Sequence, residues 1–107
     1  MSSIQAVTIF GRLGSDPELR YTPKQKPVCT FSIAENVPGT DQPVWHRIVV
    51  WGKPGEDCKL HLRKGLPVFV QGQNSIREFV HNGETKKQTE TTADYVGIPL
   101  PKESKNA

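Results

Sequence analysis

No apolar run in this 107-residue chain approaches the ~20 residues that a membrane-crossing helix needs, which excludes a helical anchor within it. The first residues, Met1-Ser2-Ser3, lack the basic and hydrophobic regions of a secretion signal, so a cytoplasmic protein is expected. Cysteine is scarce. Cys29 and Cys58 stand 29 positions apart (58 − 29 = 29) with no CxxC pair for metal or redox chemistry, and two buried free thiols are expected. Reactive constellations are missing too: there is no HExxH, no glycine-rich phosphate loop and no Gly-x-Ser-x-Gly, and the carboxylates are scattered. The three histidines read as a packed His46 and exposed His61 and His81, not as metal ligands. Internal repeats and low-complexity segments are absent, and the length suits one core but not two. The expectation is one domain that is not an enzyme and needs no cofactor or metal.

What is present is a mildly basic charge and a strand with two different faces. Fourteen Lys and Arg against eleven Asp and Glu give a net charge of +3, which favours an anionic partner. From Trp45 to Arg77 six basic residues (Arg47, Lys53, Lys59, Arg63, Lys64, Arg77) face only Glu56 and Asp57, so the middle of the chain carries the positive field. Within it, Trp45-His46-Arg47-Ile48-Val49-Val50-Trp51 reads as a strand. Alternation puts Trp45, Arg47, Val49 and Trp51 on one face and His46, Ile48 and Val50 on the other. At ~3.3 Å per residue the indoles stand roughly 20 Å apart, a span suited to several bases. Flat aromatics beside a cation are the combination that holds unpaired nucleic acid. The competing reading places both indoles in the core.

The remaining segments supply an architecture. Ile4 to Leu13 is β-rich and is broken by Gly14-Ser15-Asp16-Pro17; Val28 to Val37 is a second strand, turned by Pro38-Gly39-Thr40-Asp41 into the Trp45 strand. Pro54 to Lys64 reads as a short helix, with Pro in its first turn, Glu56 and Asp57 at its start, Arg63 and Lys64 at its end and Gly65 as stop. Pro67 to Phe79 and Thr85 to Val96 are strands joined by the hairpin turn Asn82-Gly83. Along the first of them Gln71, Gln73, Ser75, Arg77 and Phe79 share one face, and Val68, Val70, Gly72 and Ile76 the barrel-filling one. Five strands with a short helix between the third and fourth is the outline of an all-β OB-fold, a Greek-key barrel. The domain is expected over residues 3–97, with 98–107 a short flexible tail.

Three stretches then carry a resemblance: Gly11-Arg12-Leu13-Gly14-Ser15-Asp16-Pro17-Glu18-Leu19-Arg20-Tyr21-Thr22-Pro23; Trp45 to Lys53; and Leu62-Arg63-Lys64-Gly65 followed by Val68-Phe69-Val70-Gln71-Gly72. In this order and spacing they resemble bacterial single-stranded DNA-binding proteins over nearly the whole domain. The resemblance implies an OB-fold that binds single-stranded DNA with little sequence preference, in replication, recombination or repair, and that usually assembles as a tetramer; the expectation for this chain is a homodimer or homotetramer. It implies stacking by Trp45, Trp51 and Phe79, and phosphate contacts by Arg47, Lys53, Lys64 and Arg77. An independent argument for self-association is that the Ile4 to Phe10 strand has more apolar residues than a half-buried edge requires.

The chain also departs from that pattern. The segment Glu35 to Val44 is short and holds no aromatic, where many members carry a longer loop with a further Trp, and Glu78 stands where a basic residue is common. The last residues, Lys102-Glu103-Ser104-Lys105-Asn106-Ala107, form no acidic tip, so replication or recombination proteins are not expected to be recruited through one. A more distant resemblance is to the primosomal replication-restart OB protein, a dimer in the same size range. Two other functions stay open: a metal-dependent nuclease on the same scaffold, and a protein-interaction module that uses the Trp and Arg face for a polypeptide.

Overall fold

Alternation along Pro27–Glu35 sends Cys29, Phe31 and Ile33 into the interior and leaves Val28, Thr30, Ser32 and Ala34 half-buried on the outside. The same two-residue period builds the other strands of the computed structural model, which describes residues 5–100. In chain order these are β1 (Gln5–Leu13), β2 (Glu18–Tyr21), β3 (Pro27–Glu35), β4 (Val44–Trp51), helix α1 (Lys53–His61), β5 (Pro67–His81) and β6 (Glu84–Gly97). Residues 98–100 follow as coil; the expected domain start at residue 3 and the rest of the tail lie outside the described residues.

The sheet closes on itself. Neighbours run β1-β5-β6-β4-β3, and β3 returns to β1 through Arg12↔Ala34 and Leu13↔Ile33. Every pairing is antiparallel except β4 with β6, which is parallel and only three residue pairs wide: Arg47↔Glu90, Ile48↔Thr91 and Val49↔Thr92. The all-β, OB-type barrel with its helix between β4 and β5 is therefore as expected. Six strands appear where five were expected, the extra one being the four-residue β2. It pairs with the far half of the β3 edge that β1 uses, from Glu18↔Thr30 to Tyr21↔Pro27. Thus β1 and β2 are two halves of one barrel side, separated by the Gly14-Ser15-Asp16-Pro17 break, and the barrel has five sides.

The core comprises Ile9, Leu13, Phe31, Ile33, Ile48, Val50, Leu62, Val68 and Val70 together with both cysteines. A bulge keeps β6 in phase with it. Gln71 pairs with Tyr95 but Gly72 with Ala93, so Asp94 is unmatched and both Ala93 and Val96 can pack inward despite their opposite parity. Helix α1 covers one barrel end with Gly55 and Cys58 buried. It stops at His61, with Leu62 extended, so Arg63 and Lys64 belong to the following turn and not to the helix end as expected. Both thiols are free and buried. Burial, then the neighbouring Cys29 and Asp57, push the Cys58 thiol up to about 12, and burial raises Cys29 against the pull of Lys59.

One inward assignment fails. Val68, Val70 and Gly72 fill the barrel, but Ile76 is 68% exposed. β5 and β6 outrun the barrel past Asn74 and Thr91, whose side chains are joined by a 2.8 Å hydrogen bond, and continue as a two-stranded ribbon with no sheet behind it. Asn82 and Gly83 turn that ribbon with φ of 52° and 77°, the left-handed pair that a tight hairpin demands.

Candidate nucleic-acid interface

The outer face of β4 carries Trp45 and Trp51 exposed and Arg47 half-buried, while Ile48 and Val50 are buried in the core; Val49, of the outward parity, is also buried, at 5% exposure, though outside the core cluster. Trp45 is 59% and Trp51 42% exposed, which overturns the reading of the indoles as core. Across the sheet they stand opposite small or short side chains, Trp45 beside Ala34, Arg47 beside Ser32, Val49 beside Thr30 and Trp51 beside Val28. These cross-strand neighbours are all smaller than the indoles. Two adjoining grooves share Glu18, Thr30 and Arg47 in their walls and together form one trough along β4, ending at Trp45 and at Trp51.

Each indole has a specific support. The Trp45 ring lies directly over Gly14 in the break between β1 and β2, where a Cβ would collide with it. Lys26 places its ammonium 5.2 Å from the Trp51 ring centre, a cation–π contact that also sets a positive charge beside the platform. Chain geometry brings it there, because Gly52 donates its amide to the Pro27 carbonyl at 2.9 Å. On the ribbon, Arg77 stacks over Phe79 at 5.5 Å and both share the outward parity of β5 with Ser75 and Gln73. Their cross-strand partners are Gln88 and Lys86.

Five of the seven expected residues are thus assembled on one continuous outer surface of β4, β6 and β5: Trp45, Arg47, Trp51, Arg77 and Phe79. Arg47 is not a free cation, since its Nε donates to Glu90 Oε2 at 2.9 Å and Arg77 Nε lies 4.0 Å from the same oxygen. Lys53 stands apart at the start of α1, where it pairs with Asp57 at 3.5 Å. Lys64 is further off, in the turn after α1; its amide donates to Asp16 Oδ1 at 2.7 Å. That contact belongs to a latch between two of the motif stretches, which also includes Arg12 Nη1 to the Gly65 carbonyl at 3.0 Å, and from α1 Lys59 Nζ adds a bond to the Pro17 carbonyl, also at 3.0 Å.

Lys26, Glu90 and the ribbon's Lys86 and Gln88 escaped sequence reading. Lys26 precedes its strand and gains meaning only from the β3–β4 register, and Glu90 only from the parallel β4–β6 pairing, which no local pattern announces. The histidines fall as expected: His46 is half-buried with Nε2 2.9 Å from Glu35 Oε1, and His61 and His81 are exposed. Near the Trp51 end, the Tyr21 hydroxyl donates to Glu56 Oε2 at 2.7 Å, tying β2 to α1 and raising the phenol above its ordinary value.

Flat aromatics beside cations on the outside of a five-sided OB-type barrel are the chemistry with which unpaired strands are held in general. The family model described as the single-strand binding protein family matches residues 4–99. The chain belongs to that family, whose members are non-enzymatic, single-stranded DNA-binding proteins.

Proposed function

We propose that the outer face of β4, β6 and β5 holds single-stranded DNA by stacking bases on Trp45, Trp51 and Phe79 while Arg47 and Arg77 meet phosphates, with Lys53 and Lys64 contributing from the margins. The observation that carries this reading is the exposure of both indoles on one strand face, where a core role would have buried them. Stacking tolerates any base, so sequence preference is weak, and phosphate contact makes the affinity fall with salt. Binding of this kind protects or organises unpaired strands during replication, recombination or repair, in the cytoplasm on nucleoid DNA, without turnover.

A homo-oligomer, dimer or tetramer, is part of the proposal. The β1 edge away from β5 has no partner over residues 6–11 among the described residues, and Phe10 and Tyr95 are exposed on the adjoining face. A light-scattering mass of one chain at micromolar concentration contradicts it.

The direct test is a titration of tryptophan fluorescence with oligo(dT), against duplex of equal charge, at low and high salt. Quenching by the single strand alone, weaker at high salt, is expected. Binding without quenching removes the indoles from the site, and no binding at all assigns the face to another partner.

A further inference from the structure

A carboxylate at the centre of a surface for polyanions is a conflict unless it serves the cations around it. Glu90 is that carboxylate. It sits on β6, the strand between β4 and β5, in register with Arg47 on one side and Ser75 on the other, two residues from the Arg77–Gln88 pair. Its Oε2 receives Arg47 Nε at 2.9 Å and has Arg77 Nε at 4.0 Å.

Two roles are physically distinct. As a competitor, Glu90 would occupy the place of a DNA phosphate and have to be displaced. As a support, it would stay and fix the arginines. Burial separates them: the side chain of Glu90 is 17% exposed, against 37% for Arg47 and 47% for Arg77, so the carboxylate lies beneath the guanidinium groups. Nucleic acid arriving from solvent meets the cations first. Pulling them away would leave a mostly buried carboxylate without its partners, which is costlier than leaving it paired. The hydrogen bond made is from Arg47 Nε, and a guanidinium held by that edge still has its terminal nitrogens for a second acceptor. Arg77 lies over the Phe79 ring and at the outer limit of ion-pair range from Glu90, without a hydrogen bond to it.

We infer that Glu90 is a positioning residue for DNA binding, which grips the Nε edge of Arg47 from below and presents its guanidinium group, beside that of Arg77, to the phosphate backbone. The inference rests on this face being the single-stranded DNA surface. The trio therefore acts as one unit with a net charge of +1, and its value lies in geometry and not in the number of positive charges.

Glu90→Gln separates the two roles because it adds a unit of positive charge while removing the anchor. Oligo(dT) binding is measured across a salt series for wild type, Glu90→Gln, Arg47→Ala and the double variant, with folding followed by circular dichroism. The expected result is about tenfold weaker binding by Glu90→Gln, a slope of log K against log salt shallower by about 1, and little further loss when Glu90→Gln is added to Arg47→Ala. A folded Glu90→Gln that binds as tightly as wild type or tighter, or that loses equally in the Arg47→Ala background, overturns the inference. If Glu90→Gln does not fold, Glu90→Asp keeps the charge but shortens the reach, and wild-type affinity for that variant likewise overturns it. Failure of the wild type itself to bind oligo(dT) would instead refute the function proposed for the face.

Discussion

At the scale of single residues, the proposed binding face carries both indoles exposed, outside the core. Trp51 is exposed, lies outside the core cluster and has Lys26 over its ring, so Trp51→Ala is predicted to leave the melting temperature almost unchanged while weakening every single-stranded sequence by about 1–3 kcal/mol, as read from oligonucleotide titrations. Gly14 is different, because it touches no DNA in this scheme yet controls Trp45. A methyl group there meets the indole ring, so Gly14→Ala is predicted to shift the Trp45 emission and to weaken binding toward the level of Trp45→Ala. Unchanged emission and affinity would show that the ring has another stable position.

At the scale of elements, the ribbon of β5 and β6 depends on its turn. Gly83, with φ of 77°, accepts a methyl group only with strain, so Gly83→Ala is predicted to cost about 1 kcal/mol in denaturant unfolding and to loosen Phe79 and Arg77 more than the barrel. The turn itself was legible, because Asn82-Gly83 is a strong local signal, and so were the period-2 strands and the start of α1. What was not legible depends on partners distant in the chain. Glu18–Tyr21 is too short to announce itself and becomes a strand only because the β3 edge is there to receive it. Ile76 has the parity of a core residue and is exposed because the barrel ends before it, a fact of strand length and not of pattern. The platform residues of β4 were readable from alternation, whereas Lys26 and Glu90 reach the site through registers that span the molecule. Arg47 was readable as a site residue but not as the partner of a carboxylate.

At the scale of the whole molecule, the buried thiols set an alkaline limit on stability. The Cys58 thiol rises from an ordinary 9.0 to about 12 on folding, so between those values the folded chain binds more protons than the unfolded one. Its contribution is full below about pH 9 and is lost as pH climbs toward 12. Thermal melts are predicted to fall across this window, and Cys58→Ala to flatten the fall relative to wild type. The closure of the barrel has a further consequence. Its β4–β6 seam is three residue pairs wide, and the Arg47–Glu90 contact spans one of them on the outside. Opening of that seam, a transient local event seen by amide hydrogen exchange, requires the same pair to separate. An oligonucleotide that holds Arg47 in place therefore acts as a clasp on the seam, so that occupancy of the outer face slows exchange of amides inside the barrel wall which the ligand never touches.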